Sequence, residues 1–75
     1  MEGVGKAEVE TFGRHFREAR IRAQITQKEV HEQTGIAISF LSGIENGERN
    51  LSVEVAAKLA KVVGRELHEL LKPKN

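Results

Sequence analysis

Between Thr26 and Gly47 the chain is held to a narrow choice of shapes, because glycines at 35 and 47 cut it into two short helical segments. Thr26-Gln27-Lys28-Glu29 places a hydroxyl at a helix cap and a carboxylate three residues later. That pair satisfies two open N–H groups reciprocally and starts a helix. Val30 and Thr34 continue this helix inward, and Gly35 ends it with a left-handed residue. The next helix is expected from about Ala37 to Asn46, with Gly47 as its stop. It holds Ile36, Ala37, Ile38, Phe40, Leu41 and Ile44 at or near its turns, more apolar residues than a plain surface helix carries.

The rest of the chain reads as helices of the same kind. Thr11 can cap a first helix. Phe12, Phe16, Ala19 and Ala23 follow at spacings of four, three and four, which is one helical stripe. Ser52 caps a fourth helix in which Val55, Ala56, Leu59, Ala60 and Val63 recur at three or four, and Gly64 terminates it. Leu67, Leu70 and Leu71 mark a last short helix before Pro73. No run alternates as a strand would. The expected fold class is all-α, a compact domain of five short helices. Residues 1–10 read as a flexible arm with a helical end near Ala7 to Glu10, residues 11–72 as the domain, and 73–75 as a tail.

Seventy-five residues make one domain with a small core. The chain has no cysteine, so no disulfide or thiolate is available. Its apolar runs are too short for a membrane span, and the cytoplasm is the default location. His15, His31 and His68 are too far apart to form a local ligand pair, so no metal is expected. Gly43 and Gly47 lack the following Lys-Ser/Thr of a nucleotide loop. With no nucleophile–base pattern either, nothing points to an enzyme or a cofactor.

The net charge is only +1, yet its distribution is uneven. Arg14, Arg17, Arg20, Arg22 and Lys28 oppose only Glu18 between residues 11 and 28. Residues 29–54 carry five glutamates against Arg49, and the tail turns positive again. A basic face can exist on a nearly neutral chain, as can a set of ordinary solvated helix faces.

Two short helices meeting at a glycine turn are the skeleton of a helix-turn-helix, although geometry alone does not separate this from any helical hairpin. The side chains are more specific. From Phe12 to Leu71 the chain resembles the Xre-type helix-turn-helix family, which includes the phage Cro and repressor domains. The matching pieces are "TQKEV", "TGIAISFLSGIENGERNLS" and "LAKVVG". The phrase "LSGIENGERNLS" is also similar to the small controller proteins of restriction–modification systems and to plasmid and prophage regulators.

This resemblance implies a sequence-specific regulator of transcription that binds double-stranded DNA. It would act as a homodimer on a palindromic operator, with helix three in the major groove. Base reading falls to Ala37, Ile38, Ser39, Ser42 and Gly43. Of these only the two serines can donate or accept, while Ala37 and Ile38 can meet thymine methyl groups. Modest direct readout with more carried by DNA shape is the expectation. Gln27, in the first turn of helix two, takes a phosphate, helped by the open N–H groups of a helix N-terminus. Lys28, Asn46, Arg49, Asn50 and Arg17 are the other phosphate candidates, with Arg49 foremost. Glu29, Glu32 and Glu48 must point away from DNA. Arg20 and Glu45 match a buried structural ion pair. Leu67, Leu70 and Leu71 divide between the core and a two-fold interface.

Alternatives stay open at this level. Ile38 is either a reading residue or a core residue. Phe40, where relatives often have tyrosine, packs over helix two. The apolar edge of Ala37, Ile38 and Phe40 also suits a protein-interaction module, or an antitoxin that binds both DNA and a toxin protein. RNA polymerase is a further partner if the protein activates.

Overall fold

The computed structural model describes residues 5–72. Five helices follow one another: α1 (Lys6–Arg22), α2 (Gln27–Thr34), α3 (Ile38–Glu45), α4 (Val53–Val62) and α5 (Leu67–Leu71). No strand occurs among the described residues. α1 packs on α3, α4 and α5, α2 lies against α3 and α4, and α4 also meets α5. The core gathers Phe12, Phe16, Val30, Leu41, Ile44, Ala56 and Leu59 with six smaller or peripheral apolar residues. Phe12 and Phe16 stack one turn apart along α1, their ring centroids 5.9 Å from each other. Such an offset pair stabilises beyond the area it buries.

The first helix is longer than the sequence suggests. α1 begins at Lys6, so the second half of the arm expected over residues 1–10 is helical, and Met1–Val4 lie outside the described residues. Thr11 sits inside the helix and does not cap it. The extra turns are held by Val9, which is buried in the core cluster. The tail at 73–75 also lies outside the described residues.

Helix ends follow their capping chemistry. Thr26 and Glu29 form the reciprocal box: Glu29 N donates to Thr26 Oγ1 at 3.0 Å, and Thr26 N donates to Glu29 Oε1 at 3.0 Å. Ser52 Oγ accepts from Val55 N at 3.1 Å. The sequence offers no Ser or Thr before α5, and Glu66 stands at its cap, with Glu66 N donating to Glu69 Oε1 at 2.8 Å. α3 and α4 both close by folding the chain back. Gly47 N reaches Ile44 O and Glu48 N reaches Gly43 O, while Gly64 N reaches Lys61 O and Arg65 N reaches Ala60 O. This paired closure satisfies two carbonyls of the last turn and requires a positive φ, here 73° at Gly47 and 72° at Gly64. α1 closes the same way with Gln24 at φ 59°, a non-glycine in the left-handed region.

Candidate nucleic-acid interface

The α2–α3 turn is a small hydrogen-bonded unit. Gly35, at φ 76°, donates its N–H to His31 O at 2.7 Å. His31 Nδ1–H donates to Ile36 O at 2.8 Å and so spans the turn. Thr34 Oγ1 donates to Val30 O and accepts from Ile36 N, at 2.7 and 3.1 Å. These bonds fix the angle at which α3 leaves α2.

α3 is divided by its own periodicity. At about 100° per residue, Leu41, Ile44 and Glu45 fall on one side and are buried. Ile38, Ser39 and Ser42 fall together on the neighbouring sector, with Ile38 bordering Glu45 around the helix. Ala37 and Ser39 are exposed, Ser42 is half-buried, and Ile38 keeps 42% of its surface open. Ile38 is therefore not a core residue. Phe40 is half-buried against the core and leaves that edge. Gly43 also leaves it: the residue is buried, and the stem of Arg49 lies across it. With neither side chain nor exposure, Gly43 has nothing to offer a base edge, contrary to the sequence expectation.

Glu45 organises one flank of the edge. Its carboxylate accepts from Arg20 Nε at 2.7 Å and from Arg20 Nη2 at 3.0 Å, and Arg20 Nη1 continues to Ile25 O at 2.9 Å. The carboxylate side chain is 3% exposed. A buried carboxylate needs this many donors to offset its lost hydration. Gln27 Nε2 adds a bond to Glu45 Oε1 at 3.2 Å, and Arg17 Nε stands 3.8 Å from the same oxygen. Gln27 is thus turned inward to Glu45, with one amide hydrogen committed there. Arg17 is 59% exposed, and with Asn46 it lines a polar cleft beside Glu45. The N–H groups of Gln27 and Lys28 precede any possible helical partner and stay open at the start of α2. Lys28 itself is exposed.

The other flank is the loop after α3. Arg49 and Asn50 are exposed there, and Asn50 Oδ1 accepts from Leu51 N at 2.9 Å. Lys6 and Val9 share a shallow cleft with Gly47, Glu48, Arg49 and Asn50. Lys6 escaped the sequence reading because its stretch looked like an arm. Of the three acidic neighbours, Glu29 is tied into the capping box, while Glu32 and Glu48 are exposed.

The sequence model of the helix-turn-helix family matches residues 16–70. The chain belongs to the Xre-type helix-turn-helix family. Its match extends from inside α1 to α5, so the family likeness covers most of the core, all but Val9 and Phe12, and not the turn alone. An HTH-type transcriptional regulator of Sinorhizobium fredii, y4dJ, itself uncharacterized, is 34% identical over 61 residues, covering 81% of this chain and 79% of its own length. The crystal structure of the restriction–modification controller protein C.AhdI from Aeromonas hydrophila superposes with a TM-score of 0.76 at 33% identity. It covers 85% of this chain and 97% of its own. These likenesses support a DNA-binding regulator of transcription. As a member of this family the chain places its second and third helices as α2 and α3.

The remaining candidates lie on α5. Leu70 is 3% exposed and belongs to the core, so it is not free for the two-fold interface expected of it. Leu67 and Leu71 are half-buried at the margin of the core. Among the described residues no group of three histidine or acidic side chains could hold a metal ion, and no helix is long and apolar enough to cross a membrane.

Proposed function

We propose that the chain is a sequence-specific transcriptional regulator that binds a palindromic operator as a homodimer, with α3 in the major groove. The observation that carries this reading is the flanking of the α3 edge. Ala37, Ile38, Ser39 and Ser42 stand between two sets of donors, one around Glu45 (Arg17, Gln27, Asn46) and one in the loop (Arg49, Asn50). A helix seated in the major groove has a phosphate backbone on either side, and phosphate contacts set its register while base contacts specify. Lys28 and the open amides of α2 extend the first set.

Direct readout is sparse. Ser39 and Ser42 are the hydrogen-bonding groups on the edge, and Ile38 with Ala37 meets thymine methyl groups. Much of the specificity then rests on DNA shape and on the spacing of two half-sites about 34 Å apart. The dimer uses the α5 side of the domain, where Leu67 and Leu71 remain half-exposed. Phe40 is half-buried against the core, which leaves Ile38 as the one large exposed apolar side chain of the edge and disfavours a protein-docking face there. An operator overlapping a promoter gives repression by occlusion, and one upstream permits contact with RNA polymerase.

The test is an anisotropy titration on duplexes selected from a random pool, run at several salt concentrations. Tight binding to two-fold symmetric sites, with a steep fall in log K against log salt, is expected. Equal affinity for selected and random duplex would refute the reading.

A further inference from the structure

α3 presents no cation of its own. Its sequence is ISFLSGIE, and its one charge, Glu45, is buried under Arg20. A helix laid into a phosphate-walled groove would ordinarily bring a positive side chain to it. The chain supplies one from outside the helix, and Gly43 is where the two meet.

The closure of α3 explains how. Gly47, at φ 73°, turns the chain back so that Glu48 N bonds Gly43 O at 2.8 Å. The residue after Glu48 is therefore delivered onto the flank of α3 at Gly43. A methyl group at Gly43 would sit 3.4 Å from both Arg49 Cβ and Cδ, and closer still to Cγ. The three stem carbons of Arg49 thus occupy the space that any other residue at 43 would fill. The backbone tie fixes where the stem starts, and the missing Cβ fixes which way it runs. Around the helix, Gly43 is next to Ser39, so the stem lies along the border of the exposed edge. The guanidinium beyond it has no hydrogen bond or ion pair within the described residues.

We infer that Gly43 is a positioning residue for DNA binding: its bare backbone seats the Arg49 stem against α3 and aims the guanidinium at the DNA strand beside the reading edge. This rests on the DNA-binding reading above. It reverses the role expected of Gly43, which touches no base and acts entirely through Arg49. Alanine at 43 leaves the helix intact and moves a flexible side chain, so the loss appears in binding and not in folding.

The experiment is a cycle of four proteins: unaltered, Gly43→Ala, Arg49→Ala and the double variant. Each is titrated against the selected operator at several salt concentrations and melted by circular dichroism. Arg49→Ala is expected to weaken binding about ten- to hundredfold and to lower the salt slope by about one. Gly43→Ala gives a similar loss with an unchanged or higher melting temperature, and the double variant binds no worse than Arg49→Ala. Binding by Gly43→Ala equal to the unaltered protein, or losses that multiply in the double variant, would overturn the inference. NMR of the free protein tests the seat without DNA. Nuclear Overhauser contacts from the Arg49 stem to Gly43 Hα are expected, and their absence overturns the seat. Failure of the broader DNA-binding reading shows itself differently, as an unaltered protein with no preference for any duplex.

Discussion

Gly13 and Gly43 both mark close approaches to or within α3, and they tolerate change very differently. A Cβ at Gly13 would stand 3.0 Å from the carbonyl carbon of Ile44 and 3.3 Å from Glu45 Cα, with the Ile44 oxygen nearer still. Its neighbours are backbone, and helix backbone cannot give way without moving α1 off α3. At Gly43 the neighbour is an arginine stem, which can swing. One glycine therefore sets the distance between two helices, and the other only the path of one side chain. The first belongs to the fold and the second to what the fold presents.

The firmest way to break the rigid seam is through its ion pair. Glu45→Ala strands Arg20 beneath the surface and removes the partner of Gln27. A loss of about 3–5 kcal/mol in urea unfolding is expected, a large share of what a small domain has. Gly13→Ala comes next, with about 1–3 kcal/mol lost to overpacking, read in the same denaturation. A Gly13→Ala protein as stable as the original would show that α1 and α3 can part, and the contrast would fail. On the exposed side, Ile38→Ala should leave stability within about 1 kcal/mol while weakening operator binding in a mobility-shift assay. Gly43→Ala sharpens the contrast directly, gaining about 0.5–1 kcal/mol from helix propensity as it loses affinity. The smallest effect is at the end of α1. Gln24→Gly relieves a left-handed non-glycine and should raise stability by about 1 kcal/mol or less, visible as a small rise in Tm.

Where local chemistry decides structure, residues could be read directly. The Thr26–Glu29 box, the Ser52 cap and the stops at Gly35, Gly47 and Gly64 each depend on neighbours within a few positions, and they delimit α2, α3 and α4 nearly to the residue. The start of α1 was hidden because its anchor is one buried side chain, Val9, amid charged residues. Gly13 carried no local signal at all, since its reason is the carbonyl of a residue thirty-one positions away. The same limit applies at the candidate site. The sector of α3 that faces outward follows from periodicity, but the loop that folds an arginine over Gly43 does not. Nor does spacing tell which of Leu67, Leu70 and Leu71 sinks into the core, since all three sit on barely more than one turn.

The division of α3 has a consequence for change over time. Its inner face holds the bonds and packing that keep the domain together, whereas Ile38, Ser39 and Ser42 stand outside the buried core cluster. On the proposed DNA-binding reading, those three positions form a replaceable alphabet on a fixed carrier. Exchanging them should retarget the protein to a new site with the scaffold untouched, so that duplicated copies of one gene could diverge in address within a few substitutions while every copy still folds.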